Sequence, residues 1–81
     1  MANKVRVSDV YLNAYLRAGG YSSIDYEITR VDGRRIVTFI YEDTDGSMDE
    51  AIERFKDSQF MRDFIREYLY TKRAITKALI E

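Results

Sequence analysis

Apolar and polar residues alternate most clearly between Ser23 and Asp43, in two segments that flank Asp32-Gly33. An Asp-Gly pair between β-branched and aromatic segments is typical of a two-residue type I′ turn, because both central positions of that turn need positive φ angles. The pattern therefore predicts an antiparallel β-hairpin over residues 23–43.

Counting outward from this turn gives the hairpin one continuous apolar face, because directly opposed residues share a face. The members of the predicted apolar face are Ile24, Tyr26, Ile28, Val37, Phe39 and Tyr41. The other face is expected to be mostly solvated and carries Asp25, Glu27, Thr29, Thr38 and Ile40. We therefore expect helices to cover the apolar face.

One short helix is predicted before the hairpin and another after it. The first covers residues 9–18, with Ser8 as its N-cap and with Val7 and Leu12 as a hydrophobic staple. It ends at the glycine pair 19–20, where one glycine takes the left-handed conformation. The second covers residues 48–56, and Ser47 with Glu50 matches a capping box.

A third helix is predicted over residues 60–80. Its apolar stripe, which Lys72 interrupts, consists of Met61, Phe64, Ile65, Tyr68, Leu69, Ile75, Thr76 and Leu79. This helix is roughly 30 Å long, whereas a domain of this size has a radius of gyration of about 12 Å. Its last turns therefore extend past the hairpin, and a second copy of the chain is the simplest partner for them. The alternative is that this end is exposed to solvent.

The predicted fold class is α+β, in the order β-α-β-β-α-α. Residues 4–7 alternate in the manner of a short edge strand, and the 81 residues make one domain, 1–81. A chain this short has a thin core, and the absence of Cys excludes disulfides that would reinforce it.

Composition argues against an enzyme. The chain has no His and no Cys, no Ser in a nucleophile elbow and no Gly-rich phosphate loop, so we expect neither catalysis nor a cofactor. No apolar segment is long enough for a membrane span and the N-terminus lacks a signal segment, so we expect a cytoplasmic protein, bacterial or in a host cell. The 13 basic and 14 acidic residues nearly cancel, which does not favour nucleic acid.

An acidic segment covers residues 42–53 and contains Glu42, Asp43, Asp45, Asp49, Glu50 and Glu53. Its spacing is not that of an EF-hand loop, and acids in a first helical turn favour the helix dipole. We therefore expect this segment to be structural rather than a metal site, with an acidic docking face as the remaining alternative.

Arginines cluster at the hairpin tip, where Arg30, Arg34 and Arg35 flank the turn. The predicted register places Arg30 directly opposite Arg35, and like charges in that position are destabilising. An anion, a carboxylate or a partner surface would relieve this conflict, whereas the alternative is that both side chains extend into water. The tip is the preferred candidate for partner binding.

A second basic surface lies on the last helix. Its outer stripe consists of Arg62, Arg66, Tyr70, Arg73 and Lys77. Such a stripe is suited to phosphates or to an acidic protein, including residues 42–53 of a second copy, but it is also typical of a solvated helix face.

Most of the seven tyrosines have a structural explanation. Five lie on stripes predicted to be core, namely Tyr11, Tyr15, Tyr26, Tyr41 and Tyr68. Tyr21 and Tyr70 do not, and they are candidates for an interface.

Residues 7–21 and the strand Thr38-Phe39-Ile40-Tyr41-Glu42-Asp43 carry a resemblance to known domains. The Ser-Asp opening, the Ala14-Tyr15-Leu16 helix and the Gly20-Tyr21 ending are similar to a small family of bacterial and phage domains of unknown function. The resemblance covers about residues 5–45, and residues 46–81 depart from it. It implies a phage or mobile-element setting and supplies no catalytic or binding residues.

These observations, with the resemblance, predict a small non-enzymatic binding protein, encoded by a phage or mobile element, that acts by protein–protein interaction. Inhibition of a host factor or a defence complex is one concrete form. The alternative is a dimeric nucleic-acid-binding protein that uses the basic face of the last helix.

Overall fold

The order of elements is β-α-β-β-α-α in the computed structural model of the protein, which describes residues 3–80. The α+β fold class predicted from the sequence is therefore confirmed, and each helix lies within one residue of its predicted bounds. The elements are β1 (Asn3–Val7), α1 (Val10–Ala18), β2 (Ser23–Val31), β3 (Arg34–Asp43), α2 (Ser47–Asp57) and α3 (Gln59–Ile80).

The three strands form one antiparallel sheet in the order β1-β3-β2, with β3 in the centre. Asp32 and Gly33 have φ angles of 51° and 79°, so the turn between β2 and β3 has the positive angles that type I′ requires. The predicted hairpin register is confirmed from the turn to the pair formed by Asp25 and Ile40.

Beyond that pair the predicted register is wrong. A bulge between Ser23 and Asp25 places Ser23, rather than Ile24, opposite Tyr41. Because a bulge adds one residue to one strand, Ile24 is left without a direct partner, and its side chain is exposed.

The core lies at one end of the sheet, where β1 adds a third strand. Its buried cluster consists of Val7, Leu16, Tyr41, Met48 and Ala51. β1 pairs only with Phe39–Asp43, so the sheet is wide enough to support α1 and α2 at that end alone. The prediction that helices cover the whole apolar face is wrong, since Tyr26, Ile28 and Val37 nearer the turn are exposed.

The opposite face of the sheet is less solvated than its pattern suggests. Ile40 is buried there, contrary to prediction, on the central strand between Arg6 and Asp25. An ion pair of 3.3 Å joins Arg6 of β1 to Glu27 of β2 and spans the central strand. The third strand therefore supplies cover that the hairpin pattern alone does not reveal.

The first helix begins one residue later than predicted. Asp9 is its N-cap, and the Asp9 carboxylate accepts hydrogen bonds from the backbone N–H groups of Tyr11 and Leu12. Ser8 instead shares a hydrogen bond of 2.7 Å with Thr38, so the predicted Ser8 cap is wrong, although Leu12 does pack against the core cluster that contains Val7. Gly20 has a φ angle of 97°, which confirms the left-handed end of the helix.

The later helices also use different caps. α2 has Gly46 as its N-cap without a side-chain hydrogen bond, so the predicted capping box is wrong. Ser58 ends α2, and its hydroxyl accepts a hydrogen bond from the N–H of Met61 in the first turn of α3. No residue of the described part of α3 is buried, although its stripe was predicted to face the core.

Candidate functional site

The hairpin turn places two of the three candidate arginines on one face. Arg30 and Arg35 are directly opposed, as predicted, whereas Arg34 is opposed to Val31. Because opposed residues share a face and neighbours alternate, Arg34 lies on the other face of the sheet. All three side chains are exposed.

The opposed arginines continue an uncovered apolar surface. Tyr26 and Ile28 are each 59% exposed and Val37 is 40% exposed, on the same face as Arg30 and Arg35. We call these five residues the hairpin face. The alternation in the sequence identified its members, but the sequence did not reveal that the helices stop short of it. The shortness of the predicted first strand was the available signal, because a two-stranded region offers helices little width.

The two arginines of the hairpin face form no ion pair within residues 3–80. Among residues 3–80, ion pairs join Arg6 to Glu27, and Arg66 to both Asp63 and Glu67. Arg30 and Arg35 are therefore unpaired within the described chain, and like charges directly opposite each other destabilise a strand pair. The surface combines an apolar patch with two cations that lack a counterion.

The basic stripe of α3 is exposed along its whole length, which includes Arg62, Tyr70, Arg73 and Lys77. Its second arginine is partly neutralised, because Arg66 lies 3.3 Å from Asp63 and 3.6 Å from Glu67. The positive surface is therefore interrupted between the first and the last turns of the helix.

The burial of the tyrosines differs from the prediction. Tyr41 is buried and Tyr11 and Tyr15 are partly buried, whereas Tyr26 and Tyr68, which were also predicted to be core, are exposed. Tyr21 is partly buried and shares a hydrogen bond of 2.6 Å with Ser47, which ties the end of α1 to the start of α2. Tyr70 is exposed, as expected for a residue off the apolar stripe.

The acidic segment shapes the loop before α2. The buried Asp43 accepts a hydrogen bond from the N–H of Gly46, and Asp45 accepts one from the N–H of Ser47. The latter bond holds the pKa of Asp45 below its ordinary value of 3.8. Within the described residues no three carboxylates lie close enough together to hold a metal ion.

No helix within residues 3–80 combines the length and the apolar character needed to cross a membrane. Comparison of the chain with models of protein families, with curated proteins and with solved structures gave no match. The resemblance to bacterial and phage domains stays a prediction, and function has to be inferred from the surfaces themselves.

Proposed function

We propose that the protein is a small, non-enzymatic binding protein that recognises another protein through the hairpin face. The observation that carries this proposal is the exposure of Tyr26, Ile28 and Val37 beside the opposed pair Arg30 and Arg35. Aromatic residues and Arg are enriched in the centres of protein interfaces, where they supply most of the binding free energy.

The charges of the hairpin face define the chemistry of the partner. Arg30 and Arg35 are like charges at directly opposed positions, and carboxylates on a partner would pair with both of them. The apolar side chains need an apolar surface opposite them. The expected partner is therefore a protein whose apolar patch is bordered by Asp or Glu.

The setting of this interaction follows from the resemblance to phage and mobile-element domains. A chain in which the sequence predicts no catalytic residues would act most simply by occupying a surface that its target needs. We propose inhibition of a host factor or a defence complex as the concrete form of that action.

Capture experiments with matched variants test this proposal. Immobilised wild type, an Arg30→Ala/Arg35→Ala double variant and an Arg34→Ala variant are incubated with bacterial lysate, and the retained proteins are compared. Because Arg34 lies on the opposite face, we expect its variant to retain the same partner as wild type. The double variant should bind that partner, once purified, at least about tenfold more weakly. Equal retention by all three proteins would contradict the hairpin face as the binding surface.

Nucleic-acid binding by a dimer is the second candidate function. The observation that favours it is the exposure of Arg73 and Lys77, which make no ion pair within residues 3–80. Phosphate contacts would make the logarithm of the binding constant fall linearly with the logarithm of salt concentration. A gel-shift titration at low salt with Arg73→Ala/Lys77→Ala as control tests it, and the absence of retardation of single or double strands would exclude it.

A further inference from the structure

An aromatic row on α3 is exposed to solvent. Phe60, Phe64 and Tyr68 lie one helical turn apart, and their ring centroids are separated by 6.2 Å and 6.5 Å along the row. The three side chains are 72%, 51% and 47% exposed, respectively. Because each aromatic side chain offers about 150–250 Å², the row leaves on the order of 300 Å² of apolar surface in water. Patches of that size often mark interaction sites.

The same row continues into a part of α3 that contacts little else. Every residue from Thr71 to Ile80 is exposed, and Ile75 and Leu79 extend the line of Phe64 and Tyr68 at helical spacing. Packing supplies most of the stability of helices in proteins, and these last turns pack against little within residues 3–80. A further apolar surface packed against them would stabilise these turns.

A groove beside the aromatic row is suited to receiving the last turns of an α3 helix. It encloses about 300 Å³ between α1 and the start of α3 and is lined by apolar side chains. The principal lining residues are Tyr11, Ala14 and Tyr15 of α1, and Phe60, Phe64 and Ile65 of α3. A groove of this kind takes the apolar face of a helix through residues one turn apart.

We propose that the occupant is a second copy of this chain, packed α3 against α3 in antiparallel orientation. A two-fold axis between Leu69 and Tyr70 would place Ile75 of one copy beside Phe64 of the other. It would also place Leu79 beside Phe60, because the members of each pair lie equally far from that axis along the helix. Both grooves are then filled at once, which is the closed, self-complementary arrangement of a two-fold dimer.

Charge favours the antiparallel orientation. From Tyr68 to Ile80 the helix carries Lys72, Arg73 and Lys77 and no acid. A parallel pair would bring these cations of the two copies together, whereas an antiparallel pair places them near the start of the other α3. That end carries Arg62 and Arg66 as well as Asp63 and Glu67, so its charges balance and it repels the three cations less than a second copy of them would.

The elongated shape of the molecule and its exposed apolar area also fit a dimer. The radius of gyration of the single chain is 15.4 Å, above the roughly 12 Å of a well-packed domain of this size, and its extents are 54 × 32 × 19 Å. The aromatic rows of two copies supply on the order of 600 Å². Ile75, Leu79 and the groove walls must supply the rest of the roughly 1,200–2,000 Å² that a stable interface buries. This proposal does not depend on the hairpin face or on its partner.

Cysteine cross-linking tests the arrangement directly, because the chain has no native Cys. Thr71→Cys lies next to the proposed axis on the side of the aromatic row, and Ala78→Cys lies on the same side two turns further on. Tyr70→Cys lies next to the axis but on the other side of the helix. With a short bifunctional maleimide, we expect the Thr71→Cys protein to cross-link into dimers and the other two to remain largely monomeric. Equal cross-linking of Ala78→Cys would indicate a parallel pair and overturn the proposal.

Light scattering coupled to gel filtration gives the independent measurement. We expect wild type at about 100 µM to elute with twice the monomer mass of 9.6 kDa, as should Tyr70→Glu. Phe64→Glu should elute as a monomer whose circular dichroism retains the helical signal. A wild type that is monomeric at that concentration contradicts the dimer, whatever the hairpin variants do in capture experiments. If Phe64→Glu fails to fold, the cysteine variants still decide the question.

Discussion

At the scale of single residues, one buried side-chain network joins three elements. Asn13 of α1 donates hydrogen bonds from its amide to the carbonyls of Val7 and Asp9, at 3.0 and 2.9 Å. Its amide oxygen accepts a hydrogen bond of 2.6 Å from the hydroxyl of Tyr41 on β3. Because buried polar groups are costly when unpaired, this network fixes how α1 sits on the sheet.

Removal of the Tyr41 hydroxyl tests how much that network contributes to the free energy of unfolding. We expect Tyr41→Phe to lower the free energy of unfolding by about 1–3 kcal/mol, because it leaves the buried amide oxygen of Asn13 without a donor. Urea denaturation measures the change. Tyr70→Phe removes a hydroxyl from an exposed ring and should stay within about 0.5 kcal/mol of wild type. Equal losses in the two variants would argue against the network.

Tyr41 also makes the free energy of unfolding depend on pH in the alkaline range. Burial raises the pKa of Tyr41 above its ordinary value of 10.0, although the charge of Arg17 partly offsets the effect. The folded state therefore holds this proton more tightly than the unfolded state, so its contribution is complete below pH 10.0 and is lost as pH rises through the folded-state pKa. Urea denaturation from pH 8 to about 11.5 should show a steeper loss for wild type than for Tyr41→Phe. Parallel curves would contradict this prediction.

At the scale of elements, the hairpin keeps a charge conflict that a single substitution should relieve. Arg35→Glu places opposite charges on directly opposed positions, which favours a strand pair by about 0.2–1 kcal/mol. We expect this variant to be more stable than wild type in urea at low salt, and the gain to shrink as salt screens the pair. The same variant should lose the partner if the hairpin face binds one.

Arg34→Glu is the matched control for that experiment. Arg34 is opposed to Val31, so the same change of charge creates no new pair and should alter stability by less than about 0.5 kcal/mol. A stability gain as large as that of Arg35→Glu would show that net charge, rather than the opposed pair, is responsible.

The sequence predicted the elements well because their signals are local. The Asp32-Gly33 turn set the hairpin register and hence the opposition of Arg30 and Arg35, which the structure confirms. Caps were wrong by one residue, since Ser8 and Asp9 are both good caps and the Ser8 hydroxyl is engaged in a hydrogen bond with Thr38. Burial was predicted least well. Periodicity identifies the apolar side of α3, but it does not reveal whether anything in the chain covers that side.

At the scale of the whole molecule, two uncovered apolar surfaces lie on different elements. The core occupies the end of the sheet near β1, which leaves the hairpin face at the turn and the aromatic row on α3 outside it. A chain with so few buried residues gains little stability from its own packing. The two surfaces match the two separate proposals, in which a second copy covers the aromatic row and the hairpin face remains for another protein.

The proposed dimer makes the thermal stability of the fold depend on protein concentration. If a second copy covers the aromatic row, the dimer is more stable than the monomer by mass action, and the thermal midpoint rises with protein concentration. We expect the midpoint of wild type to rise by several degrees between about 1 and 100 µM, since about 1 kcal/mol shifts it by roughly 4–8 °C in a domain of this size. Phe64→Glu should unfold at a lower midpoint that does not change with concentration. Tyr70→Glu should show the same rise of the midpoint as wild type, because its position faces away from the proposed interface. If the midpoint of wild type is constant over this range of concentration, the fold is complete in one chain.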